Sequence, residues 1–179
     1  MDKIKNKLAN IKLELLFIIV LLALVIIAGI AIFSSATKSK QIDNFKDDAQ
    51  SLLSVGKNVY TNLEKTGNTN YIYSSEDGTS KAVCITITGL DENDYLTKDY
   101  SDWDGYIIIE KQSDNYNATL WATNKKYVLN GYNLEEIPEL SANKEITKYQ
   151  DENFTGKVKT SFNSKNNKYN APCINEKVE

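Results

Sequence analysis

The sequence predicts an α+β protein in which a long N-terminal helix packs on a small antiparallel β-sheet. Three observations lead to this prediction. Residues 15–33 form an apolar run that contains neither charge nor proline. After it, apolar residues recur at steps of three and four as far as Gly67, which is the spacing of one helix face. Beyond Gly67 the chain changes to short segments of β-strand composition separated by turn sequences.

The apolar run is long enough to cross a bilayer. At 1.5 Å per residue, about 20 residues span a hydrocarbon core of ~30 Å. The core of a signal peptide is shorter, roughly 7–15 residues, and no Ala-x-Ala cleavage sequence follows Phe33. We therefore expect residues 10–33 to be a retained transmembrane helix. A cleaved export signal is the alternative.

Lysines on the two sides of the run indicate its orientation. Four precede it and two follow it: Lys3, Lys5, Lys7 and Lys12, then Lys38 and Lys40. Because cytoplasmic flanks carry an excess of positive charge, we expect the N-terminus inside the cell and residues 34–179 outside. The predicted location is that of a single-pass cytoplasmic membrane protein.

The second half of the helix, residues 34–66, is predicted to be amphipathic. Its apolar stripe consists of Ile42, Phe45, Ala49, Leu52, Gly56, Val59 and Leu63. Lys65 and Gly67 are typical of a last helical turn and its left-handed cap. Residues 10–66 would then form one helix of roughly 80 Å.

The remaining residues, 67–179, are expected to form an extracytoplasmic β-sheet domain with a C-terminal tail. Strands are predicted at 71–73, 82–88, 106–109, 116–123 and 127–129, with a helical turn at 90–96 and turns at 76–78, 113–115 and 130–131. This pattern predicts three or four antiparallel strands, one face of which accepts the helix stripe. For residues 141–169 we expect an edge strand or an ordered loop, in which Phe154, Val158 and Phe162 offer burial.

Composition argues against several classes of function. The net charge is −3, all 21 basic residues are lysine, and histidine is absent. Nucleic-acid binding is not expected, since it favours a basic surface and arginine. Histidine is the commonest general base and metal ligand, so we expect a protein that is not an enzyme and has no cofactor.

Two features beyond the helix are candidate sites. Cys84 and Cys173 lack the spacing of a zinc site, and a disulfide is the natural interpretation if this part lies outside the cytoplasm. Two unrelated buried thiols are the alternative. Asp99, Asp102 and Asp104 precede Gly105 and form a weak calcium candidate, for which an ordinary acidic turn is the alternative.

The N-terminal sequence resembles that of type IV pilins and the closely similar pseudopilins. A basic leader ends in Ala9, and Glu14 follows five positions later at the start of a membrane-length helix that continues as an amphipathic one before a small sheet. Further along, residues 84–96 and the sequence Asp102-Trp103-Asp104-Gly105-Tyr106 are similar to pilin-like proteins of low-GC Gram-positive lineages. The family usually has Gly and then Phe or Met at the positions of Ala9 and Asn10, and an apolar residue at that of Lys12.

The resemblance implies a structural subunit of a type IV pilus or pseudopilus-like filament. A prepilin peptidase would remove the leader, residues 1–9, so that Asn10 becomes the N-terminus, which this family methylates, and Glu14 the fifth residue. It also implies further copies of this chain as partners, in a homo-polymer or in a mixed filament with other pilins. The assembly-platform proteins and the membrane are further implied partners, and the final location would be a cell-surface filament. The alternative is a single-pass membrane anchor carrying an extracellular binding domain that does not polymerise.

Overall fold

The computed structural model describes residues 36–141 and 145–178. The chain divides into two compact units, Met1–Asp43 and Asn44–Glu179. The predicted leader and membrane-spanning half lie outside the described residues. Within the two described ranges, no helix combines the length and the hydropathy that crossing a bilayer requires.

Helix α1 comprises residues 36–66 of the described chain. It ends where the sequence predicts, because Gly67 adopts φ +79° and its N–H donates to the Glu64 carbonyl at 3.4 Å. The predicted stripe is buried in the second unit at Phe45, Ala49, Leu52, Gly56, Val59 and Leu63. The expectation of an amphipathic helix is therefore confirmed for the part that the structure describes.

The described residues form one seven-stranded sheet, which is larger than the three or four strands predicted because the two-residue strands at 73–74, 147–148 and 173–174 also join it. Its strands are β1 (Tyr73–Ser74), β2 (Lys81–Thr86), β3 (Asp104–Gln112), β4 (Asn115–Thr123), β5 (Tyr127–Asn133), β6 (Thr147–Lys148) and β7 (Cys173–Ile174). Strands β1 to β6 are neighbours in sequence order, and each pair is antiparallel. Strand β7 is parallel to β2, at Cys84 and Ile85.

One face of this sheet packs against α1. An added Cβ on Gly56 would lie 3.1 Å from Ile107 Cγ2, so the helix backbone comes close to the middle of β3. Near the start of the second unit, the Phe45 ring stacks on the Trp103 ring, with centroids 4.9 Å apart. The centroid of the Tyr127 ring lies 5.5 Å from that of Phe45. The predicted α+β arrangement of a helix on an antiparallel sheet is confirmed.

The face of the sheet opposite α1 is covered by the C-terminal segment. An edge strand or an ordered loop was predicted for this segment. The edge strand exists as β6, but the residues after it are helical: α3 (Asp151–Asn153), a π-helical turn (Phe154–Val158) and α4 (Lys159–Asn166). Phe154, Val158 and Phe162 are spaced by four residues and therefore share a helix face. That face is buried against residues of the sheet that include Ile108 and Trp121.

Two local predictions are wrong in instructive ways. Asn130-Gly131 is not a turn but lies inside β5, where the register shifts between Leu120 and Trp121. Gly131 occupies this bulge with φ +81°, and a Cβ there would lie 2.8 Å from Trp121 Nε1. Strand β2 ends at Thr86 rather than residue 88.

The early end of β2 has a local cause. The Thr86 hydroxyl accepts the Gly89 N–H at 2.8 Å and so caps helix α2 (Ile87–Glu92). The helical turn therefore begins three residues earlier than predicted. As a result, α2 follows β2 without a connecting loop.

Candidate functional site

The residues of the predicted processing and assembly site lie outside the described residues. Ala9, Asn10 and Glu14 belong to the N-terminal 35 residues, so their roles remain predictions. The described residues contain the other two candidate sets, the cysteine pair and the three aspartates.

Cys84 and Cys173 are joined in a disulfide. They face each other in the parallel pairing of β2 and β7, with their Cα atoms 4.4 Å apart. Cys84 is fully buried and belongs to the core beneath the C-terminal helices. The bond closes a loop with a sequence separation of 89, which includes β3, β4 and β5. It therefore ties the end of the described chain to the strand near its middle.

The residues that follow the disulfide lie along β2 and α2. We call residues 173–178 the C-terminal strap. The Asn93 side chain binds its main chain twice: Nδ2 donates to the Glu176 carbonyl at 2.9 Å, and the Val178 N–H donates to Oδ1 at 2.8 Å. The Thr86 hydroxyl adds a contact of 2.8 Å to the Asn175 side chain.

Gly89 makes room for this strap. A Cβ built on Gly89 would lie 2.2 Å from the carbonyl oxygen of Ile174, which is far closer than atoms can approach. Neither Gly89 nor Asn93 was predicted from the sequence to be a site residue. Gly89 lies between the predicted strand 82–88 and the predicted helical turn 90–96, where a glycine has the ordinary character of a turn residue, and nothing local distinguishes Asn93 from a capping residue.

The three aspartates of the calcium candidate have separate roles. Asp99 accepts the Ser101 N–H at 2.8 Å, and this hydrogen bond lowers the pKa of the Asp99 carboxyl. Asp102 pairs with Lys125 at 3.3 Å, and Asp104 begins β3. Among the described residues no group of three or more His, Cys, Asp or Glu side chains is placed to hold a metal ion. The structure therefore does not bring these carboxylates together.

A charged cluster holds the C-terminal end of α1 to β3 and β4. Lys111 Nζ lies 2.8 and 2.9 Å from the two carboxylate oxygens of Glu64, and the Tyr116 hydroxyl donates to the same carboxylate at 3.0 Å. The bond from Lys111 lowers the pKa of Glu64. Beneath it, the buried Tyr60 hydroxyl has no hydrogen-bond partner among the described residues, and burial raises the pKa of Tyr60 to about 12.

A polar network joins the C-terminal helices to the sheet. The Tyr169 hydroxyl donates to Glu110 at 2.7 Å and lies 2.9 Å from the Ser80 hydroxyl. Lys165 pairs with the other oxygen of Glu110 at 2.7 Å. Buried polar groups stabilise a unique arrangement when they are paired in this way. The network anchors the chain four residues before Cys173.

Neither these clusters nor the strap assemble a nucleophile with a base. No family model, curated protein or solved structure matches this chain. The functional conclusion therefore depends on the residues themselves.

Proposed function

We propose that this chain is a structural subunit of a type IV pilus or pseudopilus-like filament. The cytoplasmic membrane would hold it through residues 10–33 before assembly. The observation that carries the proposal is the N-terminal sequence, in which Glu14 stands five positions after Ala9 at the start of an apolar run. No catalytic role is part of the proposal.

Two features of the described residues support it. The helix that follows the run is amphipathic and buries its stripe on one sheet. The Cys84–Cys173 disulfide is typical of a domain outside the cytoplasm, because the cytosol keeps thiols reduced.

The proposed mechanism depends on one charge pair. After cleavage, Asn10 would carry a free ammonium group near the apolar phase, and Glu14 of a neighbouring subunit would pair with it. Each charge is costly alone in a low-dielectric medium, so pairing sets the axial register of the subunits. Packing of many apolar helices would supply most of the cohesion, since helix association in membranes depends on shape rather than on hydrophobicity.

The decisive experiment is mass spectrometry of the chain isolated from its native host, with a parallel Glu14→Ala variant. We expect a mature N-terminus at Asn10 and particles of very high mass in sheared surface fractions. Glu14→Ala should still insert into the membrane but should enter filaments poorly. Glu139→Ala, which removes an exposed carboxylate of the sheet domain, is the matched control and should assemble normally.

The opposite result would be equally informative. An intact Met1 terminus together with monodisperse monomers in detergent would contradict the filament. It would favour a single-pass anchor whose extracellular domain binds a ligand.

A further inference from the structure

A cavity of about 210 Å³ lies between α2 and the loop that connects this helix to β3. Its apolar walls are Ile87, Leu96 and Trp103. Ile87 is buried, and the Trp103 ring is fixed by its stacking on Phe45. Cavities for drug-sized ligands are usually larger, about 300–1,000 Å³, so this one fits a small group.

The same cavity is lined by polar side chains that the protein leaves unpaired. Tyr100 is only 7% exposed, yet no group in residues 36–141 or 145–178 forms a hydrogen bond with its hydroxyl. The same holds, within those ranges, for the side chains of Thr88 and Asp91. A few polar groups that converge on a concave apolar surface are the usual mark of a ligand site.

The charge at the cavity favours a cation. Asp91 is exposed at the rim and has no ion-pair partner in the described part of the chain. The Lys98 ammonium lies 5.7 Å from the centroid of the Tyr100 ring, but it is bonded to Asp48 at 2.5 Å, so that carboxylate offsets its charge. Ser101 also lines the cavity, and its N–H is bonded to the neighbouring Asp99. Asp91 therefore offers an uncompensated carboxylate beside an apolar space.

We propose that this cavity binds a primary alkylammonium group, the group that a lysine side chain or a free aliphatic amine carries. The methylene chain packs against the apolar walls. The ammonium group has three donors and no acceptor, and it meets three acceptors in the Asp91 carboxylate and the hydroxyl oxygens of Thr88 and Tyr100. Aromatic rings in the wall add an attraction for a cation. The site does not depend on the membrane segment or on filament assembly.

Calorimetric titration of the full chain in detergent with n-butylammonium chloride, at constant ionic strength, tests the site. A titration into detergent alone gives the heat to be subtracted. We expect saturable binding with a Kd of about 1–10 mM, as is usual for a ligand of so few atoms. Ethylammonium should bind about tenfold more weakly, because each buried methylene contributes roughly fourfold in affinity. An absence of saturation would overturn the site.

The uncharged alcohol n-butanol separates recognition of the ammonium from simple apolar binding. It has the same methylene chain but cannot form a charged hydrogen bond with Asp91, so we expect it to bind about tenfold more weakly. Equal affinities for n-butanol and n-butylammonium would overturn the ammonium as the ligand. That result would favour a neutral ligand.

Two exposed carboxylates of α2 provide a matched pair of variants. Asp91→Asn should weaken n-butylammonium binding about tenfold. Glu92→Gln makes the same change of charge at a residue that does not line the cavity, and it should change the affinity by less than about twofold. Equal losses in the two variants would show general attraction by negative charge and would overturn the site. Urea unfolding checks that both variants are folded.

Tyr100→Phe tests the buried hydroxyl separately. It keeps the ring, whose centroid lies 5.9 Å from that of Trp103, and removes only the hydroxyl. We expect n-butylammonium to bind about threefold to tenfold more weakly, which corresponds to one lost hydrogen bond. Unchanged affinity would remove Tyr100 from the site.

A lysine derivative distinguishes the two sources of the group. Nα-acetyl-lysine methylamide carries the same methylene chain and ammonium on a peptide backbone. Because Thr88 and Asp91 are exposed, the cavity is open to solvent, and we expect this compound to bind within about threefold of n-butylammonium. The neutral Nε-acetylated form should bind about tenfold more weakly, and equal binding of the two would overturn the ammonium. Binding of n-butylammonium without the lysine derivative would assign the site to free amines.

Discussion

Lys111 on β3 and Glu64 near the end of α1 form a two-oxygen ion pair, with Nζ 2.8 Å from Oε1 and 2.9 Å from Oε2. Their side chains are 24% and 35% exposed, so solvent screens the pair in part. The pair connects the helix to the sheet outside the apolar stripe.

Glu64→Gln should weaken the helix–sheet connection modestly and in a pH-dependent way. The bond from Lys111 lowers the pKa of Glu64 below 4.5, so its stabilising contribution is present above that pH and is lost as the pH falls through the folded-state pKa. At pH 7 we expect the free energy of unfolding to fall by about 1 kcal/mol or less. Urea unfolding at a series of pH values checks this. The free energies of unfolding of wild type and variant should become equal at acidic pH. A constant difference between them at every pH would contradict the ion-pair explanation.

Tyr60→Phe should not destabilise the protein at neutral pH, although Tyr60 is fully buried. No group in the described part of the chain forms a hydrogen bond with its hydroxyl, so the substitution removes an unpaired polar group. Tyr116→Phe is the matched control: it removes a hydroxyl that donates to Glu64, and it should cost about 0.5–1.5 kcal/mol.

The same tyrosine predicts behaviour in alkali. Burial raises the pKa of Tyr60 from 10.0 to about 12, so the folded state keeps a proton that the unfolded chain releases between these values. The free energy of unfolding therefore does not change with the titration of Tyr60 below pH 10, and it falls as the pH rises from 10 through the folded-state pKa. Unfolding measured from pH 8 upward should show a shallower decline for Tyr60→Phe than for wild type. If the free energy of unfolding declined with the same slope in both proteins, Tyr60 would not be the group with the raised pKa.

Gly89→Ala should displace the C-terminal strap. Its new Cβ would collide with the Ile174 carbonyl at 2.2 Å, a backbone atom that the disulfide next to it restrains. We expect a loss of about 1–3 kcal/mol and faster hydrogen exchange at the Val178 amide. Gly156→Ala is the control, because nothing lies within 4 Å of its Cβ; it should be neutral or slightly stabilising. Equal stability of the two variants would show that the strap does not need the space at Gly89.

Replacing both Cys84 and Cys173 by serine should lower the free energy of unfolding by about 2–5 kcal/mol, because the disulfide closes a long loop in the unfolded chain. Urea unfolding followed by the fluorescence of Trp103 and Trp121 measures the change. A reducing agent should bring the wild type to the level of the variant and leave the variant unchanged. An effect of the reducing agent on the double variant would point to another cause.

The C-terminal helical segment was not predicted as helix, and its composition explains why. Phe154, Val158 and Phe162 carry helical spacing, but the residues around them are Asn, Lys, Ser and Thr, which are weak helix formers apart from lysine. Their helix is stable because a second face of the sheet, on Ile108 and Trp121, buries them. Local sequence contains no information about a packing surface that is formed by strands distant in the chain.

Two glycines show the same difference between roles that local sequence predicts and roles that depend on distant strands. Gly67 follows a segment whose apolar residues have helical spacing, so its neighbours in sequence predict that it caps the helix. Gly131 follows asparagine and has the local signature of a turn, yet the partner strand continues past it and Trp121 packs over it. The difference depends on pairing with β4, which no local signal contains.

The sequence by itself determined the amphipathic helix, its end at Gly67, the main antiparallel strands and the apolar run with Glu14, because each depends on residues close together in the chain. Only the tertiary structure decided that Cys84 lies opposite Cys173, that Asn93 and Gly89 receive the strap, and that Asp99, Asp102 and Asp104 stay apart. These relationships join residues as much as 89 positions apart. They depend on how the fold brings distant segments together rather than on local conformational preference.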